Sequence, residues 1–174
     1  IRIPASMTGV FGYKPPFGRN PDTPPFNLDQ YCHIGPMART VADAALMQNI
    51  MCGPHPKDIV SLKPKLELPI DRGGVSGWKI AYSLDLGYYE VDEDVRRNTL
   101  AALDVFRSLG AEVVEVDLGW TKKSEKAADD YLRTIFGAWV AEYLDERAEK
   151  LTDYSRAFAQ ASQSVTAQDF LASL

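Results

Sequence analysis

The chain has 174 residues, enough for one domain with a real core, since independent domains cluster at roughly 100 to 150 residues. Its 19 Lys and Arg stand against 24 Asp and Glu, and the resulting net charge of −5 repels phosphate, which argues against nucleic acid as a direct partner. An apolar share of 45% beside 25% charged residues excludes a disordered chain, and no apolar run approaches the roughly 20 residues that cross a bilayer.

The N-terminus lacks a basic segment followed by an apolar stretch, so no membrane contact is expected and a cytoplasmic location is. Cys32 and Cys52 are too few for a disulfide framework and form no Cys-x-x-Cys pair, so both are expected to be reduced core thiols. A chain that opens Ile1-Arg2-Ile3-Pro4 without Met, and closes soon after a capping box at Thr166, is expected to be a piece of a longer polypeptide.

Gly9, Gly12, Gly18 and Gly35, with Pro4, Pro15, Pro16, Pro21, Pro24, Pro25 and Pro36, exclude a long helix from the first 36 residues. Val10 to Lys14 reads as a short strand stopped by Pro15 and Pro16, and Phe17 to Ile34 as a long loop of the kind that is usually functional. Thr40 caps a helix over Val41 to Met51, with Asp43 closing a short capping box and Gly53-Pro54 ending the element. Apolar residues go most of the way round that helix, which predicts burial on all sides.

Residues 63–77 hold Pro64, Pro69, Gly73, Gly74 and Gly77 between charges and read as a linker or surface crossing. Ile80, Tyr82 and Leu84 then alternate as a strand, and Asp92 caps an amphipathic helix that runs to Leu109 with Gly110 at C′. Val114, Val116 and Leu118 alternate as the next strand. Strand, helix and strand within about 40 residues make a βαβ unit, so the sheet is at least partly parallel.

Ser124 is expected to cap a second long helix, whose apolar positions include Ala128, Tyr131, Leu132, Ile135 and Trp139, and a weaker helix covers Tyr154 to Gln163. The fold class is α/β: a mixed, partly parallel sheet flanked by helices and incomplete at both ends, because three strands cannot complete a sheet covered on both faces.

Residue chemistry offers no self-sufficient catalytic set. Gly73-Gly-Val-Ser76-Gly77 has the wrong spacing for a nucleophile elbow, and no phosphate-binding glycine loop occurs. His33 and His55 share no helix face and have no ligand spacing, so they read as surface or turn histidines and no metal is expected. Asp92/Asp94 and Asp129/Asp130 start or decorate helices, where solvated negative charge is ordinary.

Five blocks nonetheless fall in a telling order. Ile1-Arg-Ile-Pro-Ala-Ser6, Gly9-Val-Phe-Gly-Tyr-Lys-Pro15, Gly18-Arg19, Gly35-Pro-Met-Ala-Arg-Thr-Val-Ala-Asp-Ala44 and Gly53-Pro-His-Pro-Lys-Asp58 closely resemble the amidase signature family. The remainder, with Gly77-Trp-Lys-Ile80 and Leu109-Gly-Ala-Glu-Val113, is similar to that family's more variable following region, so residues 1–174 read as the central portion of one amidase-like domain.

The resemblance implies amide hydrolysis by a Ser-cis-Ser-Lys triad, with the nucleophile closing a Gly-Gly-Ser segment directly ahead of the Ile-Arg-x-Pro run. No catalytic residue then lies in this chain. Ile1 is the expected neighbour of the nucleophile, Ile1 and Ile3 flank it, and Arg2 pairs with an acid just before the Gly-Gly-Ser turn. Pro16 stands where the family often has Thr, which bears on the loop that follows and not on the reaction.

No cofactor is implied. The partners implied are a small-molecule amide, the remaining parts of the parent chain and a second copy in a homodimer. Two alternatives stay open: the amidase subunit of a tRNA-dependent amidotransferase, and a non-catalytic α/β interaction module. The 17–34 loop is the one specificity element visible.

Overall fold

Pro4 falls in the first turn of a short helix, where its missing N–H costs nothing, and the chain begins with α1 (Arg2–Thr8). This is the computed structural model of the chain, and it describes residues 1–70 and 73–174. The chain divides into two compact units, Ile1–Arg72 and Gly73–Leu174. Asp71 and Arg72, part of the expected 63–77 crossing, lie outside the described residues.

In the first unit, Gly9 ends α1 in the left-handed region at φ 66°, and Val10 N–H returns to the Ala5 carbonyl at 3.1 Å. The expected strand at Val10 to Lys14 shortens to β1 (Phe11–Gly12), which pairs antiparallel with β2 (Met37–Ala38) in the register Phe11↔Ala38 and Gly12↔Met37. Between them the 17–34 segment is loop apart from one 3-10 turn at Phe26–Leu28.

Helix α2 (Val41–Met51) occupies the expected span. The Thr40 hydroxyl oxygen accepts Asp43 N–H at 3.1 Å, while its O–H donates to Asp43 Oδ2 at 2.8 Å. Expected all-round burial of α2 does not hold. Ala44, Ala45 and Gln48 are buried, but Val41, Leu46 and Met47 are exposed and Ile50 is 75% exposed. Apolar composition records that a face can be covered, whereas coverage requires an opposing element, and among the described residues of this unit only one face of α2 has one.

Past α2 the chain returns along it in an extended run. Asn49 Nδ2 donates to Leu68 O at 2.9 Å and Asn49 Oδ1 accepts Leu68 N–H at 2.7 Å, the pairing a neighbouring strand would make. Cys52, buried, donates its thiol to Leu66 O at 3.3 Å, and Cys32 is half-buried; both thiols are free.

In the second unit, β3 (Lys79–Tyr82) and β4 (Glu112–Glu115) are parallel, with Ile80 opposite Val113, and α3 (Glu93–Ser108) is the crossover between them. The strand after α3 thus pairs earlier than the 114–118 alternation suggested, because Gly110 at φ 88° turns the chain straight into it. Asp92 caps α3 by accepting Asp94 N–H at 2.8 Å.

The cap of the next helix, α4 (Lys122–Leu132), is Thr121 rather than Ser124. The Thr121 hydroxyl accepts Lys123 N–H at 3.3 Å, which starts the helix three residues sooner and leaves Ser124 inside its first turn. A π-helical turn at Arg133–Gly137 follows, then α5 (Ala138–Ala141) and α6 (Leu144–Arg147), α7 (Asp153–Ser162) and α8 (Ala167–Ser173). Gly137 is where α7 crosses: a Cβ there would lie 2.7 Å from Ser162 Cβ. Tyr131 is buried and stacks on Phe170 of α8 with centroids 5.8 Å apart. The architecture is α/β, with one parallel and one antiparallel strand pair among the described residues.

Candidate active site

Ile1 is the N-cap of α1, with its carbonyl accepting Ala5 N–H at 3.0 Å. Its half-buried side chain rests on two glycines that come from either side of the long loop. A Cβ on Gly12 would meet Ala5 Cβ at 2.6 Å and Ile1 Cγ2 at 3.2 Å. One on Gly35 would fall 2.2 Å from the Tyr13 carbonyl oxygen, 2.9 Å from Pro15 Cδ and 3.4 Å from Ile1 Cγ1.

Tyr13 N–H donates to Pro36 O at 3.0 Å, so the same backbone contact that ties the two strands together sets Ile1 in place. Arg2 and Ile3, the other residues singled out from sequence, lie on α1 and are exposed. The structure therefore brings Ile1 into a packed seat and leaves Arg2 and Ile3 at the surface.

The 17–34 loop, which leads into Gly35, is held by buried polar groups to which the sequence assigned no role. Asp58, 4% exposed, accepts Asn27 Nδ2, Asp22 N–H and Val60 N–H, each at 3.1 Å. Burial pushes the Asp58 carboxyl up, but those three hydrogen bonds, with His55 nearby, outweigh it and hold the group below the usual carboxylate range. Asn20 and Gln48 exchange side-chain amide bonds at 3.1 and 2.7 Å, joining the loop to α2. Asp29 is fully buried, and its Oδ1 accepts the N–H groups of Tyr31 and Cys32 at 2.8 and 3.0 Å.

His33 packs its ring against Phe17, with centroids 5.6 Å apart, and its Nε2 lies 3.1 Å from Gln30 O. Burial, then the Lys14 ammonium, push its pKa below the ordinary histidine value. His55 accepts Lys57 N–H through Nδ1 at 3.3 Å, in the turn after α2. Among the described residues no group of three His, Cys, Asp or Glu side chains is placed to hold a metal, and no helix is long and apolar enough to cross a membrane. On α4 the exposed Lys126 pairs with Asp130, whose side chain is largely covered, and Asp129 pairs with Arg133, both at i,i+4 spacing.

The signal for the missed residues was weak but present: Asn27, Asp29 and Asp58 are short polar side chains in proline-rich segments, where backbone N–H groups lack helix or strand partners.

Comparison with known proteins agrees with this geometry. The family model described as Amidase matches residues 1–173. An acylamidase of Rhodococcus erythropolis is 35% identical over 149 residues, 84% of this chain and 30% of that protein. A glutamyl-tRNA(Gln) amidotransferase component from Desulforapulum autotrophicum is 38% identical over 132 residues, 70% of this chain and 26% of that one. The crystal structure of a bacterial aryl acylamidase of the amidase signature family superimposes with a TM-score of 0.78 at 30% identity, over 98% of this chain and 38% of the other. The chain thus spans 26 to 38% of the length of these relatives. With the family match running almost from end to end and the fold shared, the chain belongs to the amidase signature family.

Proposed function

We propose that the chain is the central portion of an enzyme that hydrolyses a carboxamide to a carboxylate and ammonia or an amine, with a serine joined to the nitrogen of Ile1 as nucleophile. In this reading the serine Oγ attacks the carbonyl carbon, its proton passes by way of the bridging serine and lysine of a Ser-cis-Ser-Lys triad to the departing nitrogen, and water then cleaves the acyl-enzyme. The observation that carries the reading is the seat of Ile1 on Gly12 and Gly35. Consecutive Cα atoms lie about 3.8 Å apart, so a residue bonded to a fixed Ile1 is itself confined to a small volume.

Arg2, exposed at the start of α1, is free to meet an acid ahead of that serine, and the uncovered apolar faces of α2 and α3 are where the remaining parts of the parent chain would pack. Residues 1–174 then form the middle of one domain, with 63–77 as a crossing inside it. The enzyme would be cytoplasmic, without a cofactor, and a homodimer if sedimentation gives twice the chain mass.

The test is ammonia or amine release by the full natural protein and by a variant in which the residue before Ile1 is changed from serine to alanine. Loss of turnover supports the reading; a gene encoding no Gly-Gly-Ser ahead of Ile1 ends it. Amidotransferase components among the relatives support a second reading, in which the ammonia passes to a partner. Co-purification of two further polypeptides would favour it.

A further inference from the structure

The 17–34 loop ends at Ile1. Gly35 lies against the Ile1 side chain, and the four residues before it, Tyr31 to Ile34, form a turn pinned from below by buried Asp29 through the N–H groups of Tyr31 and Cys32. Burial and Asp29 push the Cys32 thiol up, while the nearby Lys14 ammonium pulls it back.

Tyr31 and Ile34 are 53% and 52% exposed, and His33 leans on the Phe17 ring. With the His33 imidazole held below its ordinary pKa, and therefore neutral at neutral pH, the side chains of the turn itself are aromatic and aliphatic and carry no charge, and the ammonium of neighbouring Lys14 donates to Pro15 O at 3.0 Å. Such a surface stabilises an apolar group by removing it from water.

Resting on the reading that a serine precedes Ile1, we propose that the Tyr31–Ile34 turn is one wall of the substrate pocket, positioned by Asp29, and that the preferred amide carries an uncharged aromatic or branched aliphatic group beside the scissile bond. A serine bonded to Ile1 is one residue from the side chain that Gly35 touches, so the end of the loop borders whatever is attached to the reacting carbonyl.

The experiment compares kcat/KM of the full natural protein for benzamide, acetamide and succinamate. The wall predicts benzamide ahead of both by about tenfold or more. Tyr31→Ala and Ile34→Ala should each erode that ratio, whereas Tyr31→Phe restores it, which a merely structural role would not distinguish. A second readout does not use turnover: in the variant with alanine before Ile1, saturating benzamide should slow alkylation of Cys32 by iodoacetamide, followed by peptide mass mapping.

An unchanged ratio in both alanine variants, with Cys32 equally reactive in the presence of benzamide, overturns the inference while the hydrolase reading stands. Undiminished hydrolysis after the serine is removed overturns the reading and the inference with it.

Discussion

Replacing Gly35 by alanine tests the seat of Ile1 with one methyl group. The new Cβ would lie 2.2 Å from the Tyr13 carbonyl oxygen, where ordinary contact begins near 3.4 Å, and the obstructing atom is backbone that no rotamer change can move aside. Relief requires a displacement of about 1 Å, and overpacking of this kind costs roughly 1–3 kcal/mol. Parting the strands also weakens the Tyr13 N–H to Pro36 O bond at 3.0 Å, worth about 1 kcal/mol. The expected loss is therefore about 3 kcal/mol.

In urea this shifts the unfolding midpoint down by about 1.5 M for a slope of ~2 kcal/mol/M. Gly74→Ala is the control, since a Cβ there meets nothing within 4 Å, and it should stay within about 0.5 kcal/mol of wild type. If Gly35→Ala behaves like Gly74→Ala, the packing argument for Ile1 is wrong.

Three further perturbations address the loop and its anchors. Asp58→Ala should cost about 3 kcal/mol in the same assay, because Asn27 Nδ2 and the N–H groups of Asp22 and Val60 lose their acceptor. Since the Asp58 carboxyl sits below its unfolded value, its contribution is complete above about pH 5 and is lost as pH falls through the folded value, so Asp58→Asn should flatten the acid limb of stability against pH. An unaltered acid limb would remove Asp58 from the account. Thr40→Ala should lower stability by about 1 kcal/mol through loss of the α2 cap, and Thr40→Ser should recover most of it; equal losses in the two variants would exclude capping. Asn49→Ala should speed amide exchange at Leu68, whose N–H it holds at 2.7 Å, and unchanged protection there would show that the extended run is held by something else.

Much of the fold is legible in the sequence because it is local. Thr40 with Asp43, Asp92 with Asp94, and Gly110 after α3 each encode an end of a helix within a few residues, and the structure uses all three. The cap of α4 falls three residues from its expected place because Thr121 and Ser124 offer the same hydroxyl chemistry, and only the backbone path decides between them. Helix α1 is hidden in the sequence, since Pro4 reads as a breaker and no side chain caps it.

The π turn at Arg133–Gly137 has no periodic signature; it occurs where Gly137 admits α7 at close range. Least legible is the network beneath the candidate site. Asn20 finds Gln48 and Asn27 finds Asp58 across roughly thirty residues of chain, and no local pattern encodes such meetings. The surface of α2 is apolar on most sides as its composition states, yet it is buried on one side alone, because the covering partner is a property of the tertiary structure.

The most direct measurement treats the full natural protein with a fluorophosphonate and locates the adduct by peptide mass mapping. The account predicts one phosphonylated serine per chain, on the residue bonded to Ile1, accumulating in step with loss of amide hydrolysis. An adduct on any other residue that accounts for the inactivation would contradict it.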